Sequence, residues 1–225
     1  MLEQVRTALV IAPHPDDEVL GVGGTIAKLA QQGAAVHVAI VTRGMPPRFT
    51  DDYTANVRAE CKAAHGRLGV RQTHYLDFPA AELDRVGHAE LNARIGQLVA
   101  EVSPDTVFVP FIGDIHLDHQ LVFTSALVAS RPRHAGVPVR ILAYETLSET
   151  NWWAPGITPP FVPNCFVDIA ATLAIKIEAF REFRSQVKAV PDERSPEVIE
   201  ALALVRGAAV YRHAAEAFML VRQVG

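Results

Sequence analysis

The sequence has few cysteines, no strong excess of charge of either sign and no long hydrophobic run. Cys61 and Cys165 are far apart and neither belongs to a CxxC pattern, so both are predicted to be reduced and structural. A net charge of -4 over 225 residues gives no electrostatic sign of nucleic-acid binding. No apolar stretch approaches the ~20 residues that span a bilayer, and the N-terminus lacks the apolar core of a signal peptide. We therefore expect a cytoplasmic protein without a nucleic-acid partner or a membrane span.

The composition is that of a globular α/β protein. Hydrophobic residues make up 49% of the chain and charged residues 20%, which is enough apolar material to bury a full core. The chain has no internal repeat and no low-complexity tract. We expect residues 1–225 to form a single domain, and the sequence leaves the oligomeric state open, a homo-oligomer included.

Short apolar segments alternate with helix-like segments along the first half of the chain. Strands are predicted at 7–12, 35–41, 73–77 and 106–110, with amphipathic helices between them. This order predicts an α/β, Rossmann-like three-layer fold with a mostly parallel central sheet and helices on both faces. In such a fold the ligand site lies beyond the carboxyl ends of the strands.

The second half of the chain is less regular. Strands are predicted at 140–145 and 166–169, with a last edge strand at 218–221. Helices are predicted at 120–130, 173–187 and 196–214, the last with Ser195 as its N-cap and Pro196 in its first turn.

A histidine and three carboxylates follow the first predicted strand within five positions. They are His14, Asp16, Asp17 and Glu18, in a loop that also contains two prolines. By themselves, the acids are better explained as solvated residues at the start of a helix. The three-residue spacing of His14 and Asp17 favours a metal instead, because an imidazole nitrogen and a carboxylate oxygen can then converge on one ion.

A second group of polar residues follows the fourth predicted strand. It contains His116, Asp118 and His119, and His119 opens the next predicted helix. Asp118 has the position of a carboxylate that fixes the tautomer of a neighbouring imidazole. Because parallel strands end at the same edge of a sheet, we expect both groups to meet there and to form a metal site.

These motifs resemble those of the PIG-L/LmbE-like N-acetylglucosaminyl deacetylases. That family has an HPDDE motif after its first strand and an HxDH or HxxDH motif after a later one. The resemblance extends to Arg58–Glu60, 68–70, 144–146 and 206–218. One departure is Leu117, which stands where proline is frequent in the family.

The resemblance implies a set of metal ligands and a general base. His14, Asp17 and His119 would bind Zn²⁺, or another divalent transition metal such as Fe²⁺, and Asp16 would be the general base. Spacing alone leaves open which of Asp16 and Asp17 binds the metal. Two imidazoles and one carboxylate match a catalytic zinc site, which keeps one position open for water.

The resemblance also implies the handling of the substrate. A protonated His116 would stabilise the oxyanion of the tetrahedral intermediate, and Asp118 would orient His116. Arg58 corresponds to an arginine that contacts the substrate. The implied reaction is removal of the N-acetyl group from an N-acetylglucosamine-type sugar or its conjugate. The alternative is a zinc amidohydrolase that acts on a non-sugar N-acyl compound.

Two loops are candidates for substrate contact. Residues 43–53, rich in glycine and proline, are either a lid or an ordinary connection. Residues 148–163 contain Trp152 and Trp153, which either stack on a sugar ring or belong to another apolar contact.

The sequence disfavours three other classes of protein. Dinucleotide binding is disfavoured, because the glycines at 21–24 do not complete a GxGxxG motif and no strand immediately precedes them. A two-metal phosphoesterase needs more ligands than these motifs contain. A non-catalytic binding module is disfavoured because the residues expected to act as base and oxyanion donor are both present.

Overall fold

The computed structural model of the protein describes residues 4–132, 138–152, 154 and 156–224. Its centre is a seven-stranded sheet of order β3-β2-β1-β4-β5-β7-β6. The strands are β1 (Thr7–Ala12), β2 (Ala35–Arg43), β3 (Gln72–Pro79), β4 (Thr106–Pro110), β5 (Arg140–Tyr144), β6 (Cys165–Asp168) and β7 (Ala215–Gln223). The helices are α1 (Asp17–Gln31), α2 (Asp51–Leu68), α3 (His88–Val102), α4 (Leu117–Ala129), α5 (Leu173–Arg181) and α6 (Pro196–Ala208).

The first five strands are parallel, and only β7 runs antiparallel to its neighbours β5 and β6. The core residues of α1, α2, α5 and α6 pack on one face of the sheet, and those of α3 and α4 pack on the other. The predicted three-layer α/β fold is therefore confirmed. None of the helices in the described part of the chain combines the length and the hydrophobicity that a bilayer span requires.

The C-terminal elements differ from the sequence-based prediction. α5 ends at Arg181 instead of 187, and α6 ends at Ala208 instead of 214. α6 stops because the chain folds back on Gly207, whose carbonyl accepts from Arg212 N at 2.9 Å. The strand predicted at 218–221 is confirmed as part of β7, but its predicted edge position is wrong, because β7 lies between β5 and β6 and its Phe218 is fully buried.

The strand order reverses at β1, with β2 and β3 on one side and β4 and β5 on the other. A crevice forms at such a point, because the connections on the two sides diverge. β1 and β4 are adjacent and parallel. The two sequence motifs that follow these strands therefore emerge side by side at the crevice.

The glycines of α1 allow this helix to approach the sheet closely. A Cβ on Gly21 would overlap the ring of Tyr144 and lie 2.8 Å from the carbonyl oxygen of Glu145. A Cβ on Gly24 would lie 2.7 Å from Ile169 Cδ1. The glycines at 21–24 thus serve helix packing, which places the first turn of α1 at the crevice.

Candidate metal and catalytic site

The loops after β1 and β4 bring His14, Asp17 and His119 together. Asp17 Oδ2 lies 3.3 Å from His14 Nδ1 and 3.2 Å from His119 Nε2. The three side chains offer ligand atoms that all lie within 4.8 Å of one another. These are the residues that the family resemblance implied as metal ligands.

His119 is oriented from behind by Asp114, whose Oδ2 lies 2.8 Å from Nδ1 of the ring. Thr150 Oγ1 donates to the other carboxylate oxygen at 2.6 Å. Nε2 of His119 faces Asp17 and is buried, and among the described residues it has no hydrogen-bond partner. A buried imidazole nitrogen beside a carboxylate and a second imidazole is a donor set that suits Zn²⁺ or a similar divalent ion. Sequence reasoning assigned no role to Asp114 or Thr150.

The charges of His14, Asp17 and His119 shift one another's pKa values. Burial alone would raise the pKa of Asp17, but the facing His119 and His14 lower this pKa well below its usual range. Burial alone would lower the pKa of His14, but hydrogen bonds to Asp118 and Asp17 raise it to about 9. Burial also opposes a charge on His119, yet Asp17 and Asp114 hold its pKa well above the usual range. The carboxylates of this group thus favour positive charge between them, which is the charge that a divalent metal ion would supply.

Asp118 contacts its two histidine neighbours in different ways. Its Oδ2 lies 2.9 Å from His14 Nε2 and accepts from Ala81 N at 2.7 Å. Its backbone N–H donates to His116 Nδ1 at 3.1 Å. The resemblance implied that Asp118 orients His116, and in the structure this contact comes from the main chain. The reason is that His116 is the N-cap of α4, so its ring folds back onto an amide of the first turn.

The ring of His116 is neutral at neutral pH. Burial lowers its pKa to about 4, and the positive charge of nearby His14 acts in the same direction. Because Nδ1 accepts from Asp118 N, we place the ring proton on Nε2. A neutral imidazole with its proton on Nε2 can donate one hydrogen bond, whereas the resemblance implied a protonated ring.

Asp16 is held in an uncommon backbone conformation, with φ 109°, and is only 2% exposed. Its N–H donates to Glu18 Oε2 at 3.1 Å, and its Oδ2 accepts from Arg194 Nη1 at 3.1 Å. Burial raises the pKa of Asp16 to about 8, although the charge of Arg194 opposes the rise. Arg194 was not among the sequence-predicted site residues.

Glu18, Cys61 and His65 form a second buried group whose ligand atoms lie within 4.8 Å of one another. Glu18 Oε1 lies 2.9 Å from His65 Nε2, and His65 Nδ1 lies 2.6 Å from Thr73 Oγ1. Burial raises the pKa of the Cys61 thiol. Because both ring nitrogens of His65 already have partners, the group is a hydrogen-bonded support for the main chain at Asp16.

A cavity of about 230 Å³ opens over the site, and His14, Asp16 and His116 lie at its base. Arg58 lies on its wall, as expected of a substrate-contacting residue. The Arg58 guanidinium pairs with Asp77 and lies 4.5 Å from the centre of the Tyr75 ring.

Of the two candidate loops, residues 43–53 contribute most to the cavity wall. Phe49 and Tyr53 line it with stacked rings whose centroids are 5.6 Å apart. Trp152 lies outside the cavity, is 60% exposed and donates through Nε1 to Glu193 Oε1 at 2.9 Å. Trp153 lies outside the described residues. The aromatic surface of the cavity is therefore tyrosine and phenylalanine.

Comparison with known proteins identifies the family of the chain. A PIG-L family model described as GlcNAc-PI de-N-acetylase matches residues 9–130. The chain is 30% identical over 194 residues to diacetylchitobiose deacetylase of Thermococcus kodakarensis, covering 81% of this chain and 70% of the relative. It is 28% identical over 239 residues to 1D-myo-inositol 2-acetamido-2-deoxy-alpha-D-glucopyranoside deacetylase of Mycolicibacterium smegmatis, covering 83% and 82%. N,N'-diacetylchitobiose deacetylase from Pyrococcus horikoshii has the same fold, with a TM-score of 0.78 at 23% identity over 98% of this chain and 85% of that chain.

Proposed function

The chain belongs to the PIG-L family and is a deacetylase, and we propose that it uses one divalent metal ion to hydrolyse the acetamide of an N-acetylglucosamine-type sugar or its conjugate. The observation that carries the proposal is Nε2 of His119, which is buried, has no hydrogen-bond partner among the described residues and faces Asp17 Oδ2. His119 forms one group of metal-binding side chains with Asp17 and His14. His14 itself lines the cavity, together with Asp16 and His116. We assign the metal as Zn²⁺ or a similar ion such as Fe²⁺.

His14, Asp17 and His119 would hold the ion, which supplies Lewis acidity towards the amide carbonyl and lowers the pKa of a water molecule. Asp16 lines the cavity and is the neighbour of Asp17 in the sequence, so we assign it the role of general base, which takes the proton of the attacking water. The water oxygen bonds to the carbonyl carbon, the C–N bond breaks, and the proton passes from Asp16 to the amine. The products are acetate and a free amino sugar.

His116 serves the developing oxyanion as a hydrogen-bond donor. Its Nδ1 accepts from Asp118 N, which leaves Nε2–H free to donate towards the cavity. A neutral donor held in place before the reaction stabilises charge that develops in the transition state. We therefore assign His116 the role of a neutral donor.

An amino sugar is supported as the substrate by two observations. The relatives from Thermococcus and Mycolicibacterium are deacetylases of N-acetylated sugar compounds by name. The cavity of this chain offers the flat rings of Phe49, Tyr53 and Tyr75 together with the charge of Arg58, which pairs with Asp77. Aromatic faces suit the apolar face of a hexose, and charged groups suit its hydroxyls.

The test is acetate release from a panel of N-acetylglucosamine derivatives and acetyl-lysine peptides, with metal-free and metal-loaded protein. We expect metal-dependent release from at least one amino sugar and poor release from the peptides. Equal rates on peptides would overturn the sugar assignment and leave the alternative of a zinc amidohydrolase with a non-sugar substrate. The single domain over 1–225, the cytoplasmic location and the oligomeric state stay predictions.

A further inference from the structure

We infer that Arg194 is a positioning residue that fixes the carboxylate of Asp16 for proton transfer, an inference that rests on the proposed function. Arg194 Nη1 donates to Asp16 Oδ2 at 3.1 Å across 178 positions of sequence. The two side chains meet at the wall of the cavity, which both of them line.

The conformation of Asp16 creates the need for such a contact. A non-glycine residue at φ 109° is held there by its surroundings, because L residues rarely adopt this region. Glu18 holds the main chain of Asp16 through its N–H. Arg194 is the partner that holds the carboxylate, so the two contacts together determine where the base points.

Arg194 is itself rigidly presented. Its N–H donates to Asp192 Oδ1 at 2.9 Å, and its carbonyl accepts from Lys188 N at 3.1 Å, which closes the loop 188–194 on itself. Its Nε donates to Ser148 Oγ at 3.1 Å, and Nη1 also donates to Gln186 Oε1 at 3.0 Å. The guanidinium is therefore oriented before any substrate arrives.

The same contacts separate a positioning role from direct substrate binding. A guanidinium has five N–H donors. Nε and both hydrogens of Nη1 are engaged by Ser148, Gln186 and Asp16. Nη2 lies 3.9 Å from Glu149 Oε1 and is the part left for the cavity. Most of the N–H donors of Arg194 thus bind other residues of the protein and are not available to a substrate.

The experiment is a double-mutant cycle with Arg194→Ala and Asp16→Asn, measured on an amino sugar that the wild type hydrolyses. We expect Arg194→Ala to lower kcat about 10- to 100-fold because a misplaced base transfers the proton poorly. KM should change by less than about 3-fold, because most N–H donors of Arg194 bind the protein itself and only Nη2 is left for the substrate. In the Asp16→Asn background, removal of Arg194 should change kcat by less than about 2-fold.

Arg206 provides the matched control. Its side chain is 26% exposed against 24% for Arg194, and it also pairs with a carboxylate, that of Glu145, outside the cavity. Arg206→Ala should leave kcat unchanged. Arg194→Lys is the second variant if Arg194→Ala fails to fold, and it should restore part of kcat, because one ammonium can reach Asp16 but cannot keep all three contacts.

Each contrary result has one meaning. A rise in KM with unchanged kcat, or losses that multiply in the double variant, would show that Arg194 acts on the substrate and overturn the inference. Loss of bound metal in Arg194→Ala would overturn it as well, and so would failure of Arg194→Lys to restore any kcat. If the wild-type protein releases no acetate from any amino sugar, the proposed function fails and the inference falls with it.

Discussion

Asp114 Oδ2 lies 2.8 Å from His119 Nδ1, and this contact determines which ring nitrogen of His119 is left for a metal. A carboxylate behind a ligating imidazole fixes its tautomer and raises its basicity. Thr150 holds the other oxygen of the same carboxylate at 2.6 Å. The orientation of His119 therefore depends on Asp114 and, through Asp114, on Thr150.

The first prediction is that Asp114→Ala weakens metal binding about 10- to 100-fold, because His119 loses the partner that orients it. The measurement is competition with a chelator of known affinity. The control is Asp84→Ala, which removes an exposed carboxylate from the 3-10 turn Leu83–Arg85. Equal affinities of the two variants would contradict the assigned role of Asp114.

The second prediction separates the base from the ligands. Asp16→Asn should retain metal and lose about 10²- to 10⁴-fold in kcat, since an amide fills the space but accepts no proton. Asp17→Ala should lose the metal itself, because Asp17 Oδ2 lies between the two imidazoles. Elemental analysis and acetate release measure the two effects separately. Near-wild-type turnover in Asp16→Asn would exclude Asp16 as the base.

The third prediction concerns the substrate. Arg58→Ala should reduce turnover of an N-acetylglucosaminide about 10- to 100-fold without changing metal content, because a lost positioning contact misplaces the amide. The control is Arg67→Ala, which removes a second α2 arginine that pairs with Glu182 outside the cavity. Equal loss in both variants would mean that Arg58 acts through the stability of the helix.

The fourth prediction concerns the buried ion pair of Lys176 and Glu216, whose Nζ and Oε1 are 2.7 Å apart. Glu216 also accepts from the N–H groups of Gly24 and Thr25, at 2.8 and 2.7 Å. Glu216→Ala should lower the free energy of unfolding by about 3–5 kcal/mol, because it removes the carboxylate that neutralises a buried ammonium and accepts from two buried amides. Urea unfolding measures the loss.

The control for that prediction is Glu178→Ala. Glu178 lies on the same helix as Lys176, and its ion pair with Arg181 is half exposed on both sides. An exposed pair of this kind contributes at most about 1 kcal/mol. A loss for Glu216→Ala no larger than that for Glu178→Ala would show that the buried pair is not a stabilising link.

The fifth prediction concerns pH. His37 Nδ1 and His74 Nε2 are 3.0 Å apart on β2 and β3. Burial lowers the pKa of both rings below their ordinary 6.5, and the charges of His74 and Arg71 lower that of His37 further. As pH falls below about 6.5, these rings bind protons in the unfolded chain before they do so in the folded chain. The pair therefore destabilises the fold as pH falls through about 6.5.

The double variant His37→Gln/His74→Gln should therefore lose less stability than the wild type between about pH 8 and about pH 5. The test compares the pH dependence of stability in the two proteins, because the histidines of the metal site are present in both and their contribution cancels. His213→Gln, which alters an exposed histidine, should behave like the wild type. Parallel stability curves for the wild type and the double variant would contradict the prediction.

The sequence by itself determined the features that depend on neighbouring residues. Continuous apolar runs marked β1 and β4. Gly33 and Gly69, which have positive φ, lie just beyond the ends of α1 and α2. The sequence also placed the two polar motifs at the ends of strands. Each of these features follows from local patterns of hydrophobicity and backbone conformation, which can be read along a single segment.

The tertiary structure decided which distant side chains meet. The sequence contains no sign that Arg194 contacts Asp16 or that Glu18 contacts His65. The family resemblance implied that Asp118 orients His116, but the Asp118 carboxylate contacts His14. The aromatic wall of the cavity includes Phe49 and Tyr53 and does not include Trp152.

Even the interior place of β7 depends on strand pairing with β5 and β6. The physical reason is common to all these cases. The partner of a buried polar group is determined by the packing of elements far apart in the chain, and the spacing of residues within one segment does not encode that packing.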